Sequence, residues 1–106
     1  MNILDYKPCR TINSFRQDET EDSVTIVTFE GFITLHGAGK LLWLFSDGKH
    51  TIKDILDTIM GLHPSTDYEK TRVGICTLVK QLQAKGIIIA NWDPILKHEL
   101  PQEINL

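Results

Sequence analysis

The chain has 106 residues, of which 42% are hydrophobic and 24% are charged, so it fits one domain with one modest core. A domain of this length buries roughly 60–70% of its unfolded surface, so it needs neither disulfides nor a structural metal for stability. Eleven basic and fourteen acidic residues give a net charge of −3, which disfavours nucleic-acid binding because such domains usually carry a positive excess. The apolar runs at 41–45 and 86–90 are far shorter than the ~20 residues that cross a bilayer, so we expect no membrane association.

The remaining composition argues against secretion, metal binding and catalysis. The amino-terminal sequence has no basic segment followed by a long apolar run, so we expect a cytoplasmic protein. Cys9 and Cys76 are too far apart for a zinc knuckle or a redox motif. The four histidines do not have the i, i+4 spacing of metal ligands, and no phosphate-binding loop or nucleophile–base motif is present. The sequence therefore predicts a protein that is not an enzyme and has neither a metal nor a cofactor.

The first third of the chain has the pattern of extended structure. Residues 7–15 contain β-formers, but Pro8 and the mixed polarity allow only a weak or edge strand. The acidic run at 17–22 is predicted to be a solvated turn, because adjacent carboxylates repel each other and avoid burial.

A hairpin is predicted next. Residues 23–29 are dense in alternating β-branched side chains, which is typical of a strand. Glu30-Gly31 is the predicted turn, and residues 32–36 form the returning strand. Since side chains alternate between the faces of a sheet, one face of this strand carries Ile33 and Leu35, and the other carries Phe32, Thr34 and His36.

Helical periodicity follows in three segments, at 37–45, 51–61 and 66–85. Two pairs with capping-box spacing mark the second and third starts, namely Thr51 with Asp54 and Thr66 with Glu69. The inward stripe predicted for the third helix consists of Ile75, Leu78, Val79 and Leu82. An adjacent face carries two further apolar residues and a cation: Val73, Cys76 and Lys80.

These elements predict an α+β fold of the winged helix-turn-helix type, a three-stranded antiparallel sheet followed by three helices. A short strand at 87–89 leads to Trp92, so we assign residues 1–92 to the domain. Residues 93–106 form a predicted carboxy-terminal tail that packs locally or on a partner. Trp43 is predicted to anchor the core.

A DNA-binding regulator is an alternative function, because the second and third predicted helices could form a helix-turn-helix. The third helix carries little of the chemistry that reads DNA: its cations are partly offset by Asp67 and Glu69, and it has no Asn. Its cations are Lys70, Arg72, Lys80 and Lys85. A protein-interaction module of another kind is the third possibility.

Residues 27–89 carry a series of features in fixed order: the Leu35-His36-Gly37 junction, the leucine- and tryptophan-rich run at 41–45, the Asp47-Gly48 turn, the Thr51-Ile52-x-Asp54-Ile55 helix start and the Leu82-x-x-x-Gly86 ending. In order and spacing these resemble the PqqD-like family, the recognition elements for ribosomally synthesised and post-translationally modified peptides (RiPPs). The resemblance extends from about Lys7 to Trp92. His36 departs from the pattern, since the family often has Asn there.

The resemblance implies a noncatalytic winged-helix domain in its free-standing form, which binds the leader of a precursor peptide and delivers the precursor to a modifying enzyme. That enzyme would be a separate chain, frequently a radical S-adenosylmethionine (SAM) enzyme, whose iron–sulfur clusters and SAM belong to it and not to this protein. Other partner classes in such pathways are cyclodehydratases, lanthipeptide dehydratases and leader peptidases.

In the family the leader lies between the last strand of the sheet and the last helix, which implies binding by strand addition. Carried onto this sequence, the leader-binding residues are Phe32, Ile33, Thr34, Leu35, Arg72, Val73, Cys76 and Lys80. Each has a purely structural alternative. Phe32 would only cover the sheet, Cys76 would be a small core residue, and the two cations would be solvated surface charges.

Overall fold

The computed structural model describes residues 2–92 of the chain, and the predicted tail at 93–106 lies outside the described residues. After a short 3-10 helix, Ile3–Asp5, the chain forms five strands and three helices. They are β1 (Cys9–Arg10), β2 (Ser14–Glu19), β3 (Ser23–Thr28), β4 (Gly31–His36), α1 (Ala38–Leu44), α2 (Ile52–Leu62), α3 (Tyr68–Ala84) and β5 (Ile88–Ile89). The predicted α+β fold, an antiparallel three-stranded sheet followed by three helices, is confirmed.

The sheet has the order β2-β3-β4, and both of its pairings are antiparallel. Val24 and Ile26 of the central strand are fully buried, and they lie opposite Leu35 and Ile33 of β4. Phe32 lies on the other, exposed face of β4. The predicted alternation of this hairpin is confirmed, although its turn is Phe29-Glu30 and not Glu30-Gly31.

The prediction that residues 17–22 form a turn is wrong for the first half of that run. Gln17 to Glu19 belong to β2, and only residues 20–22 lie between β2 and β3. An edge strand tolerates such residues because it leaves many side chains in water. All three also have partners: the Trp43 Nε1–H donates to Gln17 Oε1 at 2.9 Å, Arg16 Nη2 donates to Asp18 Oδ2 at 3.0 Å, and Lys40 Nζ lies 3.3 Å from Glu19 Oε2.

The helix starts follow the predicted capping chemistry with one correction. The Asp54 N–H donates to Thr51 Oγ1 and the Thr51 N–H donates to Asp54 Oδ2, both at 3.0 Å, so this capping box is confirmed. The N-cap of α3 is Asp67, which accepts from the Lys70 N–H at 3.2 Å, and not Thr66. Asp is at least as good an N-cap as Thr, so the cap of α3 lies one residue later than predicted.

Replacing the α2 cap provides a first test. We expect Thr51→Ala to lower the free energy of unfolding by about 1 kcal/mol at neutral pH, because the Asp54 N–H loses its acceptor, Thr51 Oγ1, and the capping box is broken. The Thr51 N–H, followed by its hydroxyl, lowers the pKa of Asp54, so the carboxylate stabilises the fold above its ordinary pKa of 3.8 and loses this effect as the pH falls through the folded-state value. Urea unfolding at neutral and acidic pH measures both effects. Thr77→Ala, at an exposed position inside α3, is the control, and equal losses in the two variants would contradict the capping role.

One pairing joins the two ends of the described chain. β1 pairs with β5 in antiparallel register, Cys9 opposite Ile89 and Arg10 opposite Ile88. The Trp92 N–H donates to the Lys7 carbonyl at 2.7 Å and extends this closure. The sequence predicted a short strand at 87–89 but not its partner.

The core lies between the inner face of the sheet and the three helices. Its fully enclosed side chains include Leu42, Trp43, Leu56 and Leu82. The prediction that Trp43 anchors the core is confirmed, since only 1% of the residue is exposed. Arg10 packs beside it, 5.8 Å from the indole centroid, and donates to the Trp43 and Leu44 carbonyls at 2.9 and 3.1 Å. In residues 2–92 no helix has the length and apolar character needed to cross a membrane.

Candidate functional site

The outer edge of β4 carries main-chain groups that no strand of residues 2–92 pairs with. The Gly37 N–H donates to the Asp22 carbonyl at 3.1 Å, which fixes the alternation of hydrogen bonds along the hairpin. In that alternation the N–H and C=O groups of Ile33 and Leu35 point toward β3. Those of Phe32, Thr34 and His36 therefore point outward, so β4 offers three residues for main-chain pairing.

The strand β4 itself lacks the sequence features that keep natural sheet edges from pairing. Edge strands are usually protected by Lys, Pro, a bulge or an inward charge. The sequence of β4, GFITLH, contains neither Lys nor Pro, and its pairing with β3 has no register shift. Phe32 adds an aromatic side chain that is 74% exposed. The edge is therefore suited to receive an extended segment.

Gly39 brings the start of α1 close to both β4 and α3. A Cβ atom at Gly39 would lie 3.3 Å from Leu78 Cδ2 and 3.5 Å from Leu35 Cβ, so a larger residue would crowd both elements. Leu35 is buried and Leu78 is half-buried against the core. The Leu78 side of α3 is consequently the side that faces α1 and β4.

Helical geometry then identifies the residues on this side of α3. At about 100° per residue, Gly74 and Gln81 lie within about 60° of Leu78. Lys85, at the carboxy-terminal cap of α3, has the same direction and lines a cavity of about 100 Å³ together with Phe32 and Ile33 of β4. We call Gly74, Leu78, Gln81 and Lys85 the near flank of α3.

The four helix residues predicted for the site lie elsewhere on α3. Arg72, Val73, Cys76 and Lys80 project about 120–160° away from Leu78, across the buried stripe of the helix. The structure brings these four together on one flank and brings Phe32, Ile33, Thr34 and Leu35 together on β4, but it does not bring the two groups together. We call the four helix residues the far flank.

Individual environments on the far flank also differ. Val73 is 54% exposed, whereas Cys76 is half-buried against the core. Arg72 Nη2 donates to Glu69 Oε2 at 2.8 Å, and this hydrogen bond, helped by the carboxylate charge, raises the pKa of the guanidinium. Lys80 is exposed. The functional role of the far flank remains a prediction.

Neither His36 nor the near flank of α3 was among the residues that the sequence predicted for the site. His36 was placed on the exposed face of its strand but not in the site. One sequence feature could have indicated the near flank. Gly39 is a glycine inside a predicted helix, and such a residue often marks a close approach of two elements. That signal did not identify Leu78 as the partner.

Residues 2–92 contain no group of three or more side chains arranged to hold a metal ion. Among the described acidic side chains, Asp47 accepts the most hydrogen bonds, from the Lys49 N–H, the His50 N–H and the His50 ring. Burial raises its pKa, but the Lys49 N–H, the His50 ring and the His50 N–H together outweigh burial and lower it. These contacts tie the turn between α1 and α2 and lie apart from the β4 edge.

Comparison with known proteins gives one informative likeness. No family model matches the chain, and no curated protein matches it by sequence. Membership of the PqqD-like family therefore stays a prediction. The solved structure of TbiB1 in complex with the TbiA(beta) leader peptide is similar to this chain, with a TM-score of 0.64 and 19% sequence identity. The alignment covers 80% of this chain and 99% of the other, so the chain shares its fold with a protein that was solved with a leader peptide bound.

Proposed function

We propose that this protein is a noncatalytic adaptor that binds the leader of a ribosomally synthesised precursor peptide by strand addition to β4. The observation that carries the proposal is the unprotected outer edge of β4, with three residues whose main-chain groups point away from the sheet. The shared fold with TbiB1, whose structure contains a leader peptide, supports it.

Strand addition suits a disordered leader because the preformed edge fixes the main chain, so the peptide orders against a rigid template. Main-chain bonds at Phe32, Thr34 and His36 give affinity with little dependence on sequence. Phe32, which is 74% exposed, then covers one side chain of the leader and adds selectivity. A micromolar dissociation constant, about −8 kcal/mol, is expected for such a pairing.

The second wall of the binding groove is proposed to be the near flank of α3. Leu78 supplies its apolar surface, and Gly74 leaves room because a Cβ there would have no neighbour within 4 Å. Lys85 is placed to meet a leader carboxylate. The far flank, which the family resemblance implied, is the alternative wall, and the titration below discriminates between the two.

The modifying enzyme is proposed to be a separate chain of the radical SAM class, which rests on the family resemblance alone. In this scheme the adaptor itself holds no cofactor. Its contribution is proximity, because tethering the leader raises the effective concentration of the precursor at the enzyme.

The test is an NMR titration of the ¹⁵N-labelled protein with the leader of a precursor encoded next to its gene. We expect saturable shifts of the Phe32, Thr34 and His36 amides, accompanied by shifts on the near flank of α3. Shifts at Val73 and Cys76 without shifts at Leu78 and Gln81 would place the peptide on the far flank. Shifts confined to residues 17–22 would contradict strand addition to β4.

The DNA-binding alternative has a separate readout. A regulator would bind duplex DNA with an affinity that falls steeply as the salt concentration rises. The reason is that binding releases the counterions condensed on the DNA, and added salt opposes this release. We expect no such binding, since the net charge is −3 and Arg72, one of the few cations of α3, is already paired with Glu69. Salt-sensitive duplex binding together with an unresponsive β4 edge would replace the adaptor proposal.

A further inference from the structure

A second concave surface lies at the end of β4, outside the groove just described. It has a volume of about 400 Å³ and is formed by the turn between β2 and β3, the end of β4, one side of α1 and the end of α2. We call it the end cavity. Its lining includes three leucines, two acidic residues and one edge residue of β4, namely Leu41, Leu44, Leu62, Glu21, Asp22 and His36.

The floor of the end cavity is apolar and accessible to water. Leu62, the last residue of α2, is 59% exposed and belongs to this floor. Leu41 and Leu44 are half-buried and reach the same space from α1. Binding sites for small groups are typically concave, largely apolar and about 300–1,000 Å³ in volume. The end cavity is likewise concave and largely apolar, and its volume is sufficient for one large side chain.

The rim of the cavity is acidic. Lys40 is the one lysine or arginine of the lining, and its Nζ is already engaged, 3.3 Å from Glu19 Oε2 and donating to the carbonyls of Thr20 and Glu21. Only 12% of the Lys40 side chain is exposed. The carboxylates of Glu21 and Asp22 form no ion pair with any other described residue. The uncompensated charge of the rim is therefore negative.

The cavity is continuous with the free edge of β4. His36 is the last outward-pointing position of the edge and also lines the cavity. A peptide that pairs antiparallel to β4, as every other pairing in this sheet does, runs from the His36 end toward Gly31. Residues on the amino-terminal side of the paired segment therefore leave the edge beside the end cavity.

We infer that the end cavity is an anchor site for the same peptide, taking an aromatic or branched aliphatic side chain with a Lys or Arg next to it, on the amino-terminal side of the strand-adding segment. The apolar group fills the space between Leu41, Leu44 and Leu62, and the cation faces Glu21 and Asp22. This inference rests on the proposed function for the identity of the peptide, whereas the chemistry of the site follows from the cavity itself.

The test uses short probes that are too small to form a strand: N-acetyl-tryptophanyl-lysine amide, its tryptophanyl-glutamate counterpart and N-acetyl-glycyl-lysine amide. Methyl NMR of Leu41, Leu44 and Leu62 reports occupancy. We expect millimolar binding of the Trp-Lys probe, about threefold weaker binding of the Trp-Glu probe, as for one exposed ion pair, and no binding of the Gly-Lys probe. Absence of methyl shifts, or equal affinity for the two tryptophan probes, would overturn the inference.

Variants separate this site from the strand edge. Leu62→Ser, at a largely exposed position, should abolish Trp-Lys binding and weaken leader binding about tenfold, while the leader at saturation still shifts the Phe32 and Thr34 amides. Ile12→Ser, at a residue that is 96% exposed and does not line the cavity, is the matched control and should leave both affinities unchanged. The double change of Glu21→Gln with Asp22→Asn should bring the two tryptophan probes to the same affinity.

The outcomes distinguish the two proposals. Leader binding that shifts the β4 amides but is insensitive to Leu62→Ser would overturn the anchor site and leave the adaptor function intact. Trp-Lys binding with no leader binding would overturn the adaptor function and leave the end cavity as a site for apolar, cationic groups.

Discussion

Thr34→Pro is expected to abolish leader binding, to at least a hundredfold weaker affinity, in a chain that still folds. Proline has no N–H, and the Thr34 N–H is the central donor of the outward-facing edge. Because this N–H does not pair with β3, proline removes no hydrogen bond from the sheet, and edge strands tolerate proline at such positions. The ring also obstructs the approach of a neighbouring strand. Calorimetric titration with the leader peptide measures the loss, and circular dichroism measures the fold.

Two variants control for side-chain loss and for position. Thr34→Val removes the hydroxyl, which lies 2.9 Å from Thr25 Oγ1, but keeps the N–H, so it should bind the leader within about threefold of the parent. Ile33→Pro, one residue earlier, removes a donor that pairs with β3 and should instead destabilise the sheet. Undiminished leader binding by a folded Thr34→Pro variant would exclude strand addition at β4.

Trp43→Ala is expected to have the largest effect on stability, a loss of about 3–5 kcal/mol in the free energy of unfolding. Trp43 is the largest fully buried side chain, and its removal leaves a cavity between α1 and the sheet. It also leaves Gln17 Oε1 without its indole donor and takes away the ring on which Arg10 packs. Since domains of this size are stabilised by about 5–15 kcal/mol, the variant should unfold at far lower urea concentration.

The separate contributions can be measured with smaller changes. Trp43→Phe keeps most of the volume but loses the indole N–H, so it should cost less than Trp43→Ala. Gln17→Leu removes the acceptor at the sheet edge and tests the hydrogen bond from the other side. Urea unfolding followed by circular dichroism is the measurement, because the change removes one of the two tryptophans and so alters the fluorescence signal. A loss below about 1 kcal/mol for Trp43→Ala would contradict its role as the anchor of the core.

Local chemistry explains which elements were predictable. The β3–β4 hairpin was found because alternation over residues 23–36 matches one buried face, and α2 because Thr51 and Asp54 form a capping box that needs no tertiary context. β2 was partly missed because its acidic residues look like a loop. They are tolerated there because an edge strand leaves them in water, and the partners of Gln17 and Glu19 come from α1.

The geometry of the candidate site could be predicted only in part. The edge strand followed from its place at the end of the sheet, so Phe32 and Thr34 were identified from the sequence. Which flank of α3 lies beside β4 did not follow from the sequence, because a buried stripe fixes which residues point inward but not which flank of the helix meets a given neighbour. That choice depends on packing, here on the contact of Leu78 with Gly39 beside Leu35, and periodicity carries no information about it.

The β1–β5 ribbon sets the order in which this molecule can be completed during synthesis. Residues 9 and 10 pair with residues 89 and 88, so the ribbon cannot form until nearly the whole described chain has left the ribosome. The hairpin and the helices involve shorter separations and can be assembled earlier, since closing a short loop costs less entropy. The nascent chain therefore passes through a stage in which the β4 edge exists while the ends are still apart.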